Sequence, residues 1–451
     1  MRDKTVFQQR KKGAGLRIAL SLCFLLITCS ESARGDGGSG PAKDLAFNSE
    51  QSLGQIDKNP STPFLRYSPD GRLHAIWSED HETSWSQGKP STETHRMSGD
   101  RAPSPMRNAV IASSTDGGQT WSAHRRVNRE VEAVQGEENG PKVAFDANNR
   151  AFVVWSIPGV KGDKTRANIR FAMEDRRGGF TPARTVNEVR DAARFPIIEF
   201  VPDGDLLLAW IDRRNDNPKP RQLYLMRLGP DGKELTENYS AGEGLCECCK
   251  LGVAFADGGK TVYMVDRQVD EQKVRNHVLR KSIDGGKTFA APVLISNDGW
   301  QVPSCPHSGP SVGRDSRGWL HVTWFTLGRT ESEAGIYYSV STDGGKSFQP
   351  RRLVHANTAP EILYSTLAVG NDNTVYVAWS NLDGTNRAQV FVRSLSADGR
   401  SWGPIQQVSN AKGNASRPVL ALLKDRLNVA WTETDDENSR VLLRSATVAN
   451  E

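Results

Sequence analysis

The chain has 451 residues, 37% of them hydrophobic, with a mean hydropathy of -0.55, which suits two or three ordinary domains or one large repeat domain. The formal charge of +5 lies within residues 1–28, where Arg2, Lys4, Arg10, Lys11, Lys12 and Arg17 face only Asp3. The remainder is neutral, which removes the electrostatic basis for binding nucleic acid.

Residues 1–28 read as an export signal, with a basic start and an apolar run from Ile18 to Ile27 too short for a comfortable membrane span. Leu26, Ile27, Thr28 and Cys29 resemble a bacterial lipobox, departing from it at Thr28. Two readings follow: lipidation of Cys29 with residues 30–43 as a flexible tether, or ordinary cleavage near Ala33. Either sends residues 44–451 to an oxidising place, as a periplasmic, outer-membrane or secreted protein.

From there the chain repeats itself. Ser341, Asp343, Gly345, Ser347 and Phe348 recur as Ser114, Asp116, Gly118, Thr120 and Trp121, and as Ser282, Asp284, Gly286, Thr288 and Phe289. A tighter copy holds Ser396, Asp398, Gly399, Ser401 and Trp402, and eroded copies centre on Asp175 and Asp231. Asp followed by glycines fits a tight hairpin, because glycine tolerates positive φ and the carboxylate accepts from the turn's own amides. A second repeat is a hydrophobic strand carrying Trp77, Trp155, Trp210, Trp324, Trp379 or Trp431, with Val265 in the remaining slot. Each period contains four strand-sized apolar runs, as a propeller blade does. The chain stops one strand after Trp431, and residues 44–53 read as the strand that completes the last blade and hides two sheet edges.

The Asp-Gly-Gly repeats are Asp-boxes, and through them the chain resembles the sialidase-like superfamily of β-propellers. The expected fold is all-β: a single propeller of seven four-stranded blades, with six as the alternative because typical sialidases have six. Asp-box turns belong on one face, and the segments leading into each blade's first strand on the other. The stretch from Asp80 to Arg107, with His81 and His95, is an insertion in blade one that reads either as a lid or as a surface loop.

Most blades carry a proline thirteen or fourteen residues before the tryptophan marker: Pro63, Pro141, Pro196, Pro310 and Pro418. The residues one or two places before that slot in each blade, among them Asn139, Arg194, Cys249, Ser308, Tyr364 and Arg417, are expected to point into the central channel. Arg194, Phe195 and Pro196 are similar to the Arg-Ile-Pro signature of sialidases, which implies an arginine that grips a sugar carboxylate. Arg417 is the candidate second arginine, with Asn139 and Arg267 as further substrate-binding candidates. Tyr364 to Leu367 resembles the segment of the sialidase nucleophile, which implies Tyr364 as nucleophile and Glu361 as its base. Asp80 is the nearest acid/base candidate by topology. The plainer alternatives are a surface-paired Arg194 and a packing Tyr364.

Cys246, Cys248 and Cys249 lead into blade four, and Cys305 and His307 into blade five. Three thiolates and an imidazole suit Cu or Zn; the other reading is disulfides, with Cys246 and Cys305 as a cross-blade pair. Asp266, Arg267, Asp270, Glu271, Arg275 and His277 lie either beside that cluster or in a solvated loop. This Cys-x-Cys-Cys segment, with Asp298, Gly299 and Trp300, resembles uncharacterised bacterial sialidase-like proteins. Three functions follow: a glycan-active or glycan-binding protein of glycoside hydrolase type taking an anionic glycan, a cell-envelope protein holding a soft metal, or a non-catalytic scaffold. The protein is expected to be a monomer, membrane-tethered if Cys29 is lipidated.

Overall fold

In the second strand of each repeat apolar residues predominate, broken only by single polar residues such as His74, Thr323 and Asn428, the pattern of a strand covered on both faces. The computed structural model describes residues 45–81, 105–159, 166–201, 203–214, 221–246, 249–302, 307–357, 363–435 and 438–448. The export segment, Cys29, the linker, most of the blade-one insertion, Cys248, Cys305 and Glu361 lie outside them. Among the described residues the regular structure is strand with short 3-10 turns, and no helix is long and apolar enough to cross a membrane.

The first strand, β1 (Gln51–Leu53), is followed by β2–β5 (Ser61–Tyr67, Leu73–Asp80, Arg107–Ser114, Arg125–Arg126) and β6–β9 (Lys142–Phe145, Ala151–Pro158, Ala167–Met173, Arg184–Thr185). Next come β10–β13 (Ala193–Phe200, Leu206–Asp212, Arg221–Leu228, Tyr239–Leu245) and β14–β17 (Gly252–Ala256, Thr261–Val269, Val274–Ser282, Val293–Gln301). The remainder are β18–β21 (Ser311–Arg314, Leu320–Thr326, Gly335–Ser341, Arg352–Ala356), β22–β25 (Ser365–Val369, Val375–Leu382, Ala388–Leu395, Gln406–Gln407) and β26–β28 (Asn414–Leu423, Arg426–Thr434, Ser439–Thr447).

Each group of four pairs antiparallel in chain order, and a single residue pair, Leu245 with Gln268, joins two of the groups into one eight-stranded sheet. The last group is completed from the far end of the chain: β1 pairs with β28, Leu53 opposite Val441. The first strands of the groups lie side by side. β2 neighbours both β6 and β26, β6 neighbours β10, and β18 lies between β14 and β22, which in turn neighbours β26. Arg66 of β2 pairs with Glu199 of β10 across the space that these strands line.

All six marker tryptophans are 0% exposed, and so is Val265. Each indole packs on the sheet before its own: Trp155 on Ile76 and Ile111, Trp210 on Phe152 and Phe171, and Trp77 on Val441 and Leu443 of the last sheet. Large aromatic area buried between neighbouring sheets is the main cohesive term here.

The Asp-Gly-Gly turns join the third and fourth strands, at the end away from the lead-ins. In one of them the Ser282 hydroxyl donates to Asp284 Oδ1 at 2.7 Å and accepts from the Gly286 amide at 2.8 Å. Asp284 Oδ1 also accepts from the amides of Lys287 and Thr288, and its Oδ2 from the Thr288 hydroxyl. The same bonds recur around Asp116 and Asp343. Burial opposes the charge on Asp284, but the donors from Thr288, Ser282 and Lys287 outweigh it and hold the carboxyl down to about 2.

Leu53, 1% exposed, anchors β1, so Leu53→Ala is expected to cost about 2–5 kcal/mol in urea unfolding, and an unchanged midpoint would show that β1 does not hold the last sheet. Because the folded pKa of Asp284 is depressed, its stabilisation is present above the unfolded value near 4 and is lost as pH falls toward 2. Asp284→Asn should therefore unfold at lower temperature than the wild type at pH 6, by a gap that narrows below pH about 4.

Candidate functional site

Three first strands begin with a distorted backbone. Thr62, Phe195 and Arg417 each precede a proline and adopt φ of 61°, 56° and 53°. A residue before proline normally takes an extended conformation, and left-handed φ in such side chains stores about 1–3 kcal/mol. At each place the pairing with the second strand slips, between Ser61 and Phe64, Arg194 and Ile197, and Ser416 and Val419. Bulges of this kind re-aim the side chains beside them. The strain is held from neighbouring sheets: the Phe195 amide donates to Asn139 Oδ1 at 2.8 Å, and the Thr62 amide to Thr432 Oγ1 at 2.9 Å.

The result is a cluster drawn from the starts of five groups of strands. Arg417 Nη2 donates to the Tyr364 hydroxyl at 3.0 Å, with the guanidinium carbon 4.4 Å from the phenol centroid. Its other partner is Glu137, at 3.6 Å. Glu137 has left-handed φ of 58°, its amide held by Thr62 Oγ1, and its side chain is 59% exposed. Arg194 lies over the Phe195 ring at 4.5 Å, and His307 meets the same ring at 6.5 Å. Burial pushes the Tyr364 phenol up to about 12 against the pull of Arg417. Burial likewise holds His307 below its ordinary value, opposed by Glu137 and reinforced by Arg194 and Arg417. At neutral pH the cluster offers two fixed cations, an exposed carboxylate, a protonated phenol and a neutral imidazole.

Beneath it the lead-ins are tied to one another. The Lys250 amide donates to Glu138 Oε2 at 2.7 Å, and Lys250 Nζ donates to the Ser365 carbonyl at 3.0 Å. The Ser308 hydroxyl donates to the Leu363 carbonyl at 2.6 Å. Lys142 Nζ donates to the carbonyls of Glu138 and Gly140. Burial raises the Glu138 carboxyl and lowers Lys142 to about 8, each partly offset by the opposite charge beside it. Gly309 passes so close to the Lys250 carbonyl that a Cβ there would collide with it.

Cys246 and Cys249 bring their sulfurs to 3.7 Å, both buried. Arg267 departs from the expected substrate-binding role. It is 1% exposed, and its N–H groups are directed at Cys249 Sγ (3.4 Å), His277 Nε2 (3.2 Å) and the Phe325 carbonyl (2.7 Å), so it braces the cysteine segment and is closed to a ligand. Asn139 is likewise buried and holds the Phe195 bulge. Asp80 is engaged by Arg107 at 2.6 Å and by Asn59 at 2.9 Å. Among the described residues no three His, Cys, Asp or Glu side chains are grouped to hold a metal ion. Glu137 lies four residues before Pro141, outside the one or two positions that the repeat singles out in each blade. The signal was the pair of carboxylates between glycines, Gly136 to Gly140.

No protein-family model matches the chain, and no curated protein does. Solved structures do. Polysaccharide lyase Uly1 superposes with a TM-score of 0.53 at 10% identity, over 86% of this chain and 90% of that one. A PL25 ulvan lyase bound to -[GlcA(1-4)Rha3S]- gives 0.52 at 10% identity, over 88% and 95%. The fold is of the β-propeller kind. A Hadza microbial sialidase gives 0.45 at 12% identity, over 77% of this chain and 74% of that one, and arabinan-active enzymes are also among the structural neighbours. These neighbours are glycan-active enzymes at low identity, and the likeness is one of fold.

Asn139→Ala removes the acceptor that holds the Phe195 bulge and is expected to destabilise the protein by about 1–3 kcal/mol in chemical denaturation. A loss within about 0.3 kcal/mol would mean that the bulge keeps its shape unaided.

Proposed function

We propose that the seven groups of four strands close into one wheel, and that the protein binds and cleaves an anionic glycan at the cluster of Arg194, Arg417, Tyr364, Glu137 and His307. The observation that carries this is the hydrogen bond from Arg417 to Tyr364 with Glu137 beside it, because it joins a cation, a phenol and an exposed carboxylate from three separate sheets. Arg194 and Arg417 take the glycan carboxylate, for which planar guanidinium groups are suited. Tyr364 is the nucleophile. A phenol held up to about 12 needs a base to attack at neutral pH, and Arg417 stabilises the oxygen as its proton leaves. Glu137 is the base this geometry favours, with Glu361 as the alternative from the sequence; Asp80 is taken up by Arg107. Export rests on the basic start and apolar run of residues 1–28.

A second reading uses the same groups differently. Fold likeness to two polysaccharide lyases, together with a neutral His307 beside two arginines, suits proton abstraction next to a uronate carboxylate whose charge the arginines neutralise.

The test is turnover of a fluorogenic sialoside and of a uronate-bearing polysaccharide, followed both by released reducing ends and by ultraviolet absorbance of unsaturated sugar. Hydrolysis is expected without absorbance, with Tyr364→Phe lowering kcat about a hundredfold or more and Arg417→Lys acting mainly on KM by about tenfold. Absorbance that vanishes in His307→Gln would favour elimination instead. Turnover untouched by Tyr364→Phe and Arg417→Lys alike would remove the site.

A further inference from the structure

One marker tryptophan, Trp77, differs from its counterparts in what lies beside it. We propose that the cavity next to it binds a small guanidino acid, free arginine being the simplest, with the guanidinium on Glu79. None of the residues involved belongs to the cluster proposed to take the glycan.

Three groups of strands share a three-part contact. The Trp155 indole donates to Glu132 Oε2 at 2.8 Å, and Arg170 Nε donates to the other carboxylate oxygen at 2.7 Å. Trp210 donates to Asp212 Oδ2 at 3.0 Å, and Arg214 Nε to its Oδ1 at 3.0 Å. Trp324 donates to Asp298 Oδ2 at 2.9 Å, and Arg351 Nη1 to its Oδ1 at 2.6 Å. In the last two, the guanidinium carbon also lies over the ring of the residue paired with the tryptophan, Tyr224 at 3.6 Å and Tyr337 at 4.4 Å. The three carboxylates come from different parts of their groups, so the contact recurs because a buried indole N–H and a carboxylate both need partners. A planar guanidinium supplies donors in its plane and a face for a ring.

The first group has the tryptophan and the carboxylate without the arginine. Trp77 Nε1 donates to Glu79 Oε2 at 3.1 Å, and among the described residues Glu79 forms no ion pair and its Oε1 receives no hydrogen bond. Glu79 is only 6% exposed, and burial holds its carboxyl above the ordinary range, offset in part by Trp77, Lys58, His124 and Arg107. A buried carboxylate with one oxygen left over carries a cost that a contacting cation removes.

The space for that cation is present as well. The residue paired with Trp77 is Val110, where the three other groups have Arg170, Tyr224 and Tyr337. The shorter side chain opens a cavity of about 620 Å³, whose walls include Lys58, Glu79, Val110, Trp121, His124 and Arg126. That size is usual for a small-ligand site. Trp121 has a buried indole N–H with no partner among the described residues, a second polar group left for a ligand. Lys58 and Arg126 on the same walls suit an acid group at the ligand's other end, which favours a guanidino acid over a bare guanidinium.

The test is calorimetric titration of the full-length protein with L-arginine and with L-citrulline, which has the same length and a neutral urea in place of the guanidinium. Arginine is expected to bind with a Kd of about 1 mM or tighter, and citrulline at least about tenfold more weakly. Glu79→Gln keeps an acceptor for Trp77 and removes the charge, so it should weaken arginine binding about tenfold or more. Val110→Arg places a guanidinium where Arg170 stands in the next group, and should abolish arginine binding without lowering the thermal midpoint. No saturation by about 10 mM arginine, equal affinity for citrulline, or arginine binding unchanged in a folded Val110→Arg protein would each overturn the assignment.

Discussion

A single hydrogen bond, from the Phe195 amide to Asn139 Oδ1, shows what this structure depends on. It joins the lead-in of one group of strands to the first strand of the next, and it holds a bulky residue before proline at a φ of 56° that the isolated dipeptide would avoid. The same problem is solved at Thr62 by Thr432, again from the group before. Arg194, Arg417 and Glu137 stand on these distorted positions or next to them, so the rim is only as well defined as the contacts between neighbours. Strain is tolerated where the surroundings over-determine it, and here the surroundings are always another sheet.

The two ends of the sheets divide the work. At one end the Asp-Gly-Gly turns satisfy themselves: hydroxyl, carboxylate and amides all lie within a few residues of each other. At the other end almost nothing is local. Glu138 reaches Lys250, Lys250 reaches Ser365, Ser308 reaches Leu363, and Arg417 reaches both Tyr364 and Glu137. Self-sufficient turns free the opposite end to spend its polar groups on contacts between distant parts of the chain. Charges there are buried in pairs because an unpaired one would carry the full cost of lost hydration.

This division explains what could be read from the residues in advance. The all-β class, the tryptophan strands and the turns were legible because each is written in a short repeating pattern. Trp77, Trp155 and Trp210 announce a buried strand wherever they occur, and Ser282 with Asp284 announces a turn. Tyr364 and Arg417 were legible only through resemblance and through their places fifteen and fourteen residues before Trp379 and Trp431. Glu137 was not, since its place depends on its own left-handed backbone, which no periodicity reports. Arg267 was misread for a related reason: its position on β15 gives no hint that its side chain turns under the cysteines and is lost to solvent. Local patterns specify elements, whereas side-chain direction at the rim is fixed by partners far away in sequence.

The pairing of β1 with β28 has a kinetic consequence. Leu53 meets Val441 only after nearly the whole chain has been made, so a growing polypeptide carries its first strand unmatched throughout synthesis. Closing so long a loop is slow, because the entropy of bringing the ends together is lost before any contact compensates it. Until then Trp77 lacks the sheet on which it packs, and strands made early wait for strands made much later.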